Sequence, residues 1–248
     1  MSLLPTSHPT KLLDALPLAR RMRHRAMLSV LTIVGVAGVA ACNASDPVDT
    51  STPTASTLEV VAATDSQRAT VTTSLPSAIA VRVKDQNGNL LPSAPVAWAV
   101  ISGGGSVSLG ISGTDANGEA ATVWTLGRSA GVQMVTATLI TGVADTVIAI
   151  GVAGPAASFA LLAGDNQTLP VGQTSAPLRV RALDQYNNVV PGISVTWSTT
   201  GGTLSATDSA TDAAGVASVT LQPAAGPQVV TARLSNGATL TFNLRGEP

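Results

Sequence analysis

The residues best suited to nucleophilic or metal chemistry lie near the start of this 248-residue chain. Its two histidines are His8 and His24, and its one cysteine is Cys42. A Ser-His-Asp or Cys-His mechanism needs an imidazole beside the nucleophile, and zinc sites use mainly Cys and His ligands. Because neither residue type occurs beyond Cys42, positions 43–248 cannot form such sites.

The carboxylates beyond Cys42 lie singly in predicted turns. Glycoside hydrolysis requires a pair of them flanking the scissile bond. The sequence therefore predicts no catalytic residue, no cofactor and no enzyme activity.

One acidic segment, 85–89 (DQNGN), is similar to the opening of an EF-hand calcium loop. That loop needs Gly at its sixth position and a bidentate Glu at its twelfth, where this chain has Leu90 and Val96. Asp and Asn side chains at this spacing favour an Asx turn instead. Segment 115–118 (DANG) likewise predicts a hairpin turn, and 151–158 has no acid to hold calcium between domains. No metal site is predicted.

The glycine-rich segment 102–106 (SGGGS) is a candidate phosphate-binding loop. Such a loop continues into Gly-Lys-Ser/Thr and a helix, and neither follows here. A flexible connection between strands is the interpretation that remains.

Aromatic side chains decide whether a sugar could stack on the surface. Trp98 and Trp197 occupy matching positions on the apolar side of predicted strands, and Trp124 aligns with Leu221, so all three are predicted to be core residues. Tyr186, in a predicted turn, is the one aromatic that looks free to contact a sugar or a partner.

The charge distribution argues against a nucleic-acid partner. Beyond Cys42 there are eight basic and thirteen acidic residues, a net charge of −5, and Lys84 is the only lysine. Nucleic-acid binding needs a basic surface, which this composition does not provide.

The first 41 residues have the layout of an export signal. A basic cluster at 20–25 (RRMRHR) precedes sixteen uncharged residues at 26–41, fewer than the roughly 20 that a membrane-spanning helix needs. The segment ends in 39–42 (VAAC), which resembles the bacterial lipobox. The resemblance implies lipidation of Cys42; the alternative is an ordinary secretory signal with a chance cysteine.

Translation could also begin at Met22, which would give a 20-residue signal and leave 1–21 untranslated. The segment after the signal, 42–56, contains Ser, Thr, Pro and Asp with little to bury, and is predicted to be a lipidated cysteine with a disordered tether.

The rest of the chain repeats itself. Three residues recur at an offset of 99, and the offset falls to 97 and then 95 further along, which indicates short deletions in the second copy. The pairs at offset 99 are Asp85 and Asp184, Pro92 and Pro191, and Trp98 and Trp197. A period near 100 residues exceeds solenoid repeats, so two domains are predicted, at 57–153 and 156–248.

Both copies alternate apolar and polar residues with period two, as around Val81 and Val180, and have turn residues at regular spacing. Further strands are predicted at 120–126 and 217–221. The sequence predicts an all-β protein built of sandwiches, with no helix after Cys42.

The succession VRVKDQNGN, P, VAW, SGGG, TDANGEA and TLG resembles the bacterial immunoglobulin-like domain, group 1, of the intimin/invasin adhesins. The resemblance implies two tandem immunoglobulin-like, Greek-key sandwiches. Copy two has Asn187-Asn188 where copy one has Gly88-Asn89, so it departs from the pattern at Asn187, and it lacks the TLG.

These observations predict a non-catalytic surface lipoprotein that acts as an immunoglobulin-like stalk or adhesion module. Its predicted partners are the membrane, through the lipid, and a surface protein or glycan, through loops or strand edges. The alternative is a protein that binds envelope polysaccharide or peptidoglycan. Asn43 after the lipidated cysteine, rather than Asp, implies by the same resemblance passage to the outer membrane.

Overall fold

The computed structural model describes residues 51–248, which form two tandem β-sandwiches. Cys42, both histidines and the signal lie outside the described residues. Within 51–248 the only helical element is a one-turn 3₁₀ helix, Ala62–Thr64, and no helix there has the length and apolarity to cross a membrane.

Ten strands form each sandwich. Those of the first are β1 Ala55–Val60, β2 Gln67–Thr70, β3 Ile79–Asp85, β4 Pro95–Ser102, β5 Gly105–Val107, β6 Ile111–Gly113, β7 Glu119–Thr122, β8 Trp124–Leu126, β9 Gly131–Leu139 and β10 Ala144–Val152. Those of the second are β11 Ser158–Ala163, β12 Gln167–Pro170, β13 Leu178–Leu183, β14 Ser194–Thr199, β15 Thr203–Leu204, β16 Asp208–Ala210, β17 Val216–Val219, β18 Leu221–Gln222, β19 Gly226–Arg233 and β20 Thr239–Glu247.

The two sandwiches have the same topology. In the first, a three-stranded sheet of order β1-β3-β7 faces a five-stranded sheet of order β2-β10-β9-β4-β6, and β5 pairs with β8. The second repeats this as β11-β13-β17, β12-β20-β19-β14-β16 and β15-β18. Strand β1 begins at Ala55, two residues before the sequence-based boundary.

The strand at the start of each sandwich is divided between the two sheets. In the first, β1 pairs antiparallel with β3, whereas β2 pairs parallel with the last strand, β10. The carboxylate of Asp65 fixes the change of sheet, because its Oδ1 accepts a hydrogen bond from the Ile148 N–H at 2.8 Å. Asp165 does the same for Asn243 in the second sandwich.

Each sandwich has its own hydrophobic core, and the two clusters share no residue. The predicted core tryptophans are confirmed: Trp98, Trp124 and Trp197 are at most 5% exposed. Trp98 Nε1 donates to Ser112 Oγ and Trp197 Nε1 to Ser209 Oγ, both at 2.9 Å. These two indole N–H groups therefore have partners on the neighbouring edge strand, β6 or β16, whereas Trp124 Nε1 has none within residues 51–248.

The predicted strand at 120–126 is two strands in different sheets. β7 belongs to the three-stranded sheet, whereas β8 pairs with β5. At the break, the Val123 N–H donates to Ser108 Oγ instead of to a strand partner. The 217–221 strand breaks in the same way, where the Thr220 N–H donates to Ser205 Oγ.

Segment 102–106 connects two strands, as predicted, since β4 ends at Ser102 and β5 begins at Gly105. Gly103, Gly104 and Gly105 all have positive φ, between 75° and 91°. A Cβ at Gly105 would overlap the Thr125 carbonyl oxygen, so the close approach of β5 to β8 requires glycine there.

Trp98→Ala and Trp197→Ala should each lower the free energy of unfolding of their own sandwich by about 3–5 kcal/mol, because each leaves a cavity in a packed core. Urea denaturation followed by circular dichroism measures this. Ser112→Ala is the control that removes only the indole hydrogen bond, with an expected loss of about 1 kcal/mol. A loss below about 1 kcal/mol for the tryptophan variants would contradict the burial described here.

Candidate interaction site at the junction of the two sandwiches

Four aspartates each begin a turn of the same kind. Three of them are followed by Gly three residues later, and the fourth, Asp184, is followed there by Asn187. In each, the carboxylate Oδ1 accepts hydrogen bonds from the backbone N–H groups two and four residues later, at 2.8–2.9 Å. The four are Asp85, Asp115, Asp184 and Asp212. The predicted Asx turn at Asp85 is confirmed.

The Asp115 turn is not the predicted hairpin, because it joins β6 and β7, which belong to opposite sheets. Only Gly118 in this turn has positive φ, so Asn117 is not needed for it. The turn is a corner between the two layers of the sandwich.

The hydrogen bonds in these turns change the acidity of the carboxyl groups. At Asp85, burial alone would raise the pKa, but hydrogen bonds from Asn89, Asn87 and Gly88 lower it below its ordinary value. At Asp115, the Glu119 N–H is the main cause of a lowered pKa. Among residues 51–248 there is no group of three or more His, Cys, Asp or Glu that could hold a metal ion.

Asp184 has a contact that the other three aspartates lack. It is 1% exposed, and its Oδ2 accepts a hydrogen bond from the N–H of Gly154, in the linker between the sandwiches, at 3.0 Å. The same oxygen accepts the side-chain amide of Asn188 at 2.9 Å. Burial would raise its pKa, but the hydrogen bonds from Asn188, Gly154 and Tyr186 lower it below its ordinary value.

Asn188 connects this loop to the first sandwich. Its Nδ2 donates to the Arg128 carbonyl oxygen at 2.7 Å, and its Oδ1 accepts from the Ala130 N–H at 2.8 Å. Both amide functions of the side chain are thus satisfied by the backbone that follows β8.

Tyr186 was predicted to be free, and this was wrong. The Arg128 guanidinium carbon lies 5.5 Å from the centre of the Tyr186 ring, which is half-buried. This is the distance of a cation–π contact. We call the group formed by Arg128, Ala130, Gly154, Asp184, Tyr186 and Asn188 the joint.

The matching loop of the first sandwich also holds the chain that precedes its own first strand. Gln86 Oε1 accepts from the Thr54 N–H at 2.8 Å, and Gln86 Nε2 donates to Ser51 Oγ at 3.1 Å. Asn89, which aligns with Asn188, donates to Asp85 within the loop. Both copies therefore use this loop to fix the entering segment, through different side chains.

The residues that complete the joint on the first sandwich have no counterpart in the second. Gln133 donates to the Ser129 carbonyl and Gln228 to the Ala224 carbonyl, which aligns these positions at offset 95. The preceding strands, β8 and β18, align at offset 97. The second copy therefore lacks two residues between this strand and the glutamine, which is the part of the first copy that carries Arg128.

The shorter loop of the second sandwich also leaves one buried side-chain oxygen without a hydrogen bond. In the first sandwich Gln133 Oε1 accepts from the Gly127 N–H at 2.8 Å, whereas the buried Gln228 Oε1 has no hydrogen-bond partner within residues 51–248. The second fall of the repeat offset, from 97 to 95, therefore marks the loop of the first sandwich that contacts the second sandwich. Asn188 gave no such signal, because Asn89 occupies the matching position of the first copy.

Protonation of Asp184 should weaken the joint. Its folded-state pKa is lowered, so the stability it contributes is fully present above its unfolded-state pKa, about 4, and is lost as pH falls through the folded-state pKa. Unfolding free energy measured between pH 6 and pH 2.5 should show a smaller acid-dependent loss in Asp184→Asn than in the wild type. Glu247→Gln, at an exposed position, is the control. If the unfolding free energy of Asp184→Asn falls with pH as steeply as that of the wild type, Asp184 does not stabilise the joint.

Comparisons with known proteins found one family model and several similar solved structures. The family model of the bacterial Ig-like domain (group 1) matches residues 158–245. The D0-D1 domain structure of intimin is 23% identical and covers 77% of this chain and 98% of its own, with a TM-score of 0.32. The Yersinia pseudotuberculosis adhesin InvE is 18% identical over 78% of this chain and 60% of its own, with a TM-score of 0.38. The Escherichia coli adhesin FdeC is 21% identical over 78% of this chain and 66% of its own, with a TM-score of 0.46.

The chain spans less than two thirds of the InvE and FdeC structures. The family match identifies residues 158–245, which form the second sandwich, as a bacterial immunoglobulin-like domain (group 1), and the first sandwich has the same strand order and the same turn aspartates.

Proposed function

We propose that this chain is a non-catalytic, exported lipoprotein whose two sandwiches form a stalk or adhesion-type interaction module at the cell surface. The observation that carries the proposal is the joint. Domains connected by a short linker move relative to each other unless specific contacts hold them. Here the linker N–H of Gly154 and the backbone at Arg128 and Ala130 are bonded to one loop of the second sandwich. A stalk requires such a connection, whereas two independent binding domains do not.

Anchoring rests on the sequence. The basic cluster at 20–25, the apolar run at 26–41 and Cys42 support lipidation, and Asn43 supports transfer to the outer membrane. About twelve residues separate Cys42 from Ala55, where β1 begins, and a chain of that length reaches roughly 40 Å when extended. The first sandwich could therefore stand clear of the lipid surface.

Glycan binding, the alternative, has less support. A sugar platform needs exposed aromatic rings, but the three tryptophans are buried and Tyr186 lies against Arg128. A partner for this module is better sought among proteins that contact its loops or sheets.

The anchor is tested by Cys42→Ser. Labelled palmitate should enter the wild type and not the variant, which should accumulate as precursor or be released in soluble form. Asn43→Asp is the matched control: it should keep the label but fractionate with the inner membrane. A wild type that takes up no label and fractionates as soluble protein would show an ordinary secreted protein.

The joint is tested by Asn188→Ala, which removes two hydrogen bonds between the sandwiches. At about 0.5–1.5 kcal/mol each, their loss should raise the rate of proteolysis within 151–157 roughly tenfold. Asn89→Ala, at the matching position of the first sandwich, is the control and should leave that rate unchanged. If Asn188→Ala leaves linker cleavage at the wild-type rate, the joint does not restrain the sandwiches and the stalk proposal fails.

A further inference from the structure

The five-stranded sheet of the first sandwich has an apolar outer face. Side chains on these strands alternate between the core and the surface, and the surface positions are predominantly aliphatic. We define the apolar face by six of them: Ala97, Ala99, Ile111, Ile148, Ile150 and Val152. Ile111 is 67% exposed and Val152 39%.

The same face of the second sandwich is polar. The strand registers align the six positions one to one with Thr196, Ser198, Asp208, Asn243, Arg245 and Glu247. Three of these residues carry charge. Because both copies have the same topology, the fold does not require aliphatic residues at these positions. The apolar character of the first copy thus calls for another explanation.

The size of the apolar face fits an interface. The five strands contain four, nine, nine, eight and three residues, so at about 3.3 Å per residue and 4.8 Å between strands the face covers about 500 Å². An apolar patch of that size on a soluble protein is often functional. Two such faces together bury roughly 1,000 Å², about the least that a specific protein interface buries.

The composition of the face selects the kind of partner. Among the described strand residues pointing outward from this sheet, Arg68, on the edge strand β2, is the one charged side chain. A partner recognised by charge would find no complement here. Binding at a lipid surface typically uses Trp, Phe and clustered Lys or Arg, and the outward strand positions of this sheet have no aromatic residue. Apart from Arg68 at the edge, the outward strand positions are aliphatic or small and uncharged, among them Thr136 and Thr138, and such a sheet is complementary to itself.

We propose that the apolar face pairs with the apolar face of a second copy of this chain. Two sheets pack face to face about 10 Å apart with their strands nearly aligned, so their side chains interdigitate. The central strand of the sheet is β9, and a two-fold axis near Thr136 brings like face to like face. Arg68, on the edge strand, then lies away from its counterpart. The pairing does not depend on how the chain is anchored.

The experiment compares the full chain, extracted in detergent, with a variant that carries residues of the second copy. The wild type should form a reversible dimer by sedimentation equilibrium in density-matched detergent. Ile111→Asp with Ile148→Asn should weaken the dimer at least tenfold and leave the fold intact, because the second sandwich has Asp208 and Asn243 at these positions. Leu161→Asp, at an exposed apolar position of β11 outside the face, is the matched control and should dimerise as the wild type does.

Cross-linking provides an independent readout. Thr136→Cys should give a dimer with a bis-maleimide of about 10 Å span, above the background that Cys42 gives in the unmodified chain. Thr231→Cys, at the matching position of the second sandwich, should give no such product. A monomeric wild type at 100 µM, a dimer unaffected by the double substitution, or equal cross-linking at both positions would each overturn the proposal. So would quenching by brominated lipid of a fluorophore on Thr136→Cys in a monomer, which would place the membrane against this face.

Discussion

The carboxylate of Asp184 is the contact on which the arrangement of the two sandwiches depends. It accepts four hydrogen bonds, two from its own loop backbone, one from the Asn188 amide and one from the linker at Gly154. The loop orders Asn188 and Tyr186, and these two residues then meet the backbone and the guanidinium of Arg128. One buried negative charge, compensated by N–H donors, thereby determines the turn, the linker and the contact between domains.

Much of the fold could be predicted from the sequence because its signals are local. Period-two alternation around Val81 and Val180 identifies strands, and matched tryptophans on the apolar side identify the core. Asp85 and its neighbours indicate an Asx turn because the hydrogen bonds span only four residues. The family resemblance supplied the Greek-key order, which local pattern alone does not contain.

The errors all concern contacts between residues distant in the sequence. Nothing near Val123 shows that Ser108 will accept its N–H and divide the strand. The Asp115 turn has hairpin composition, yet its flanking strands pair with other partners. Tyr186 looked free because Arg128, its neighbour in space, lies 58 residues earlier in the chain. The sequence at 103–105 does not show that Gly105 will approach the Thr125 carbonyl oxygen too closely for any other residue.

The parallel pairing of the second and last strands has a mechanical consequence. In each sandwich the second strand, β2 or β12, lies parallel to the last strand, β10 or β20, over four residue pairs. Tension applied through the two ends of a sandwich therefore pulls these strands past each other along their length. The hydrogen bonds between them are loaded together in shear rather than opened one after another, and each sandwich therefore resists extension along the line that joins its two ends.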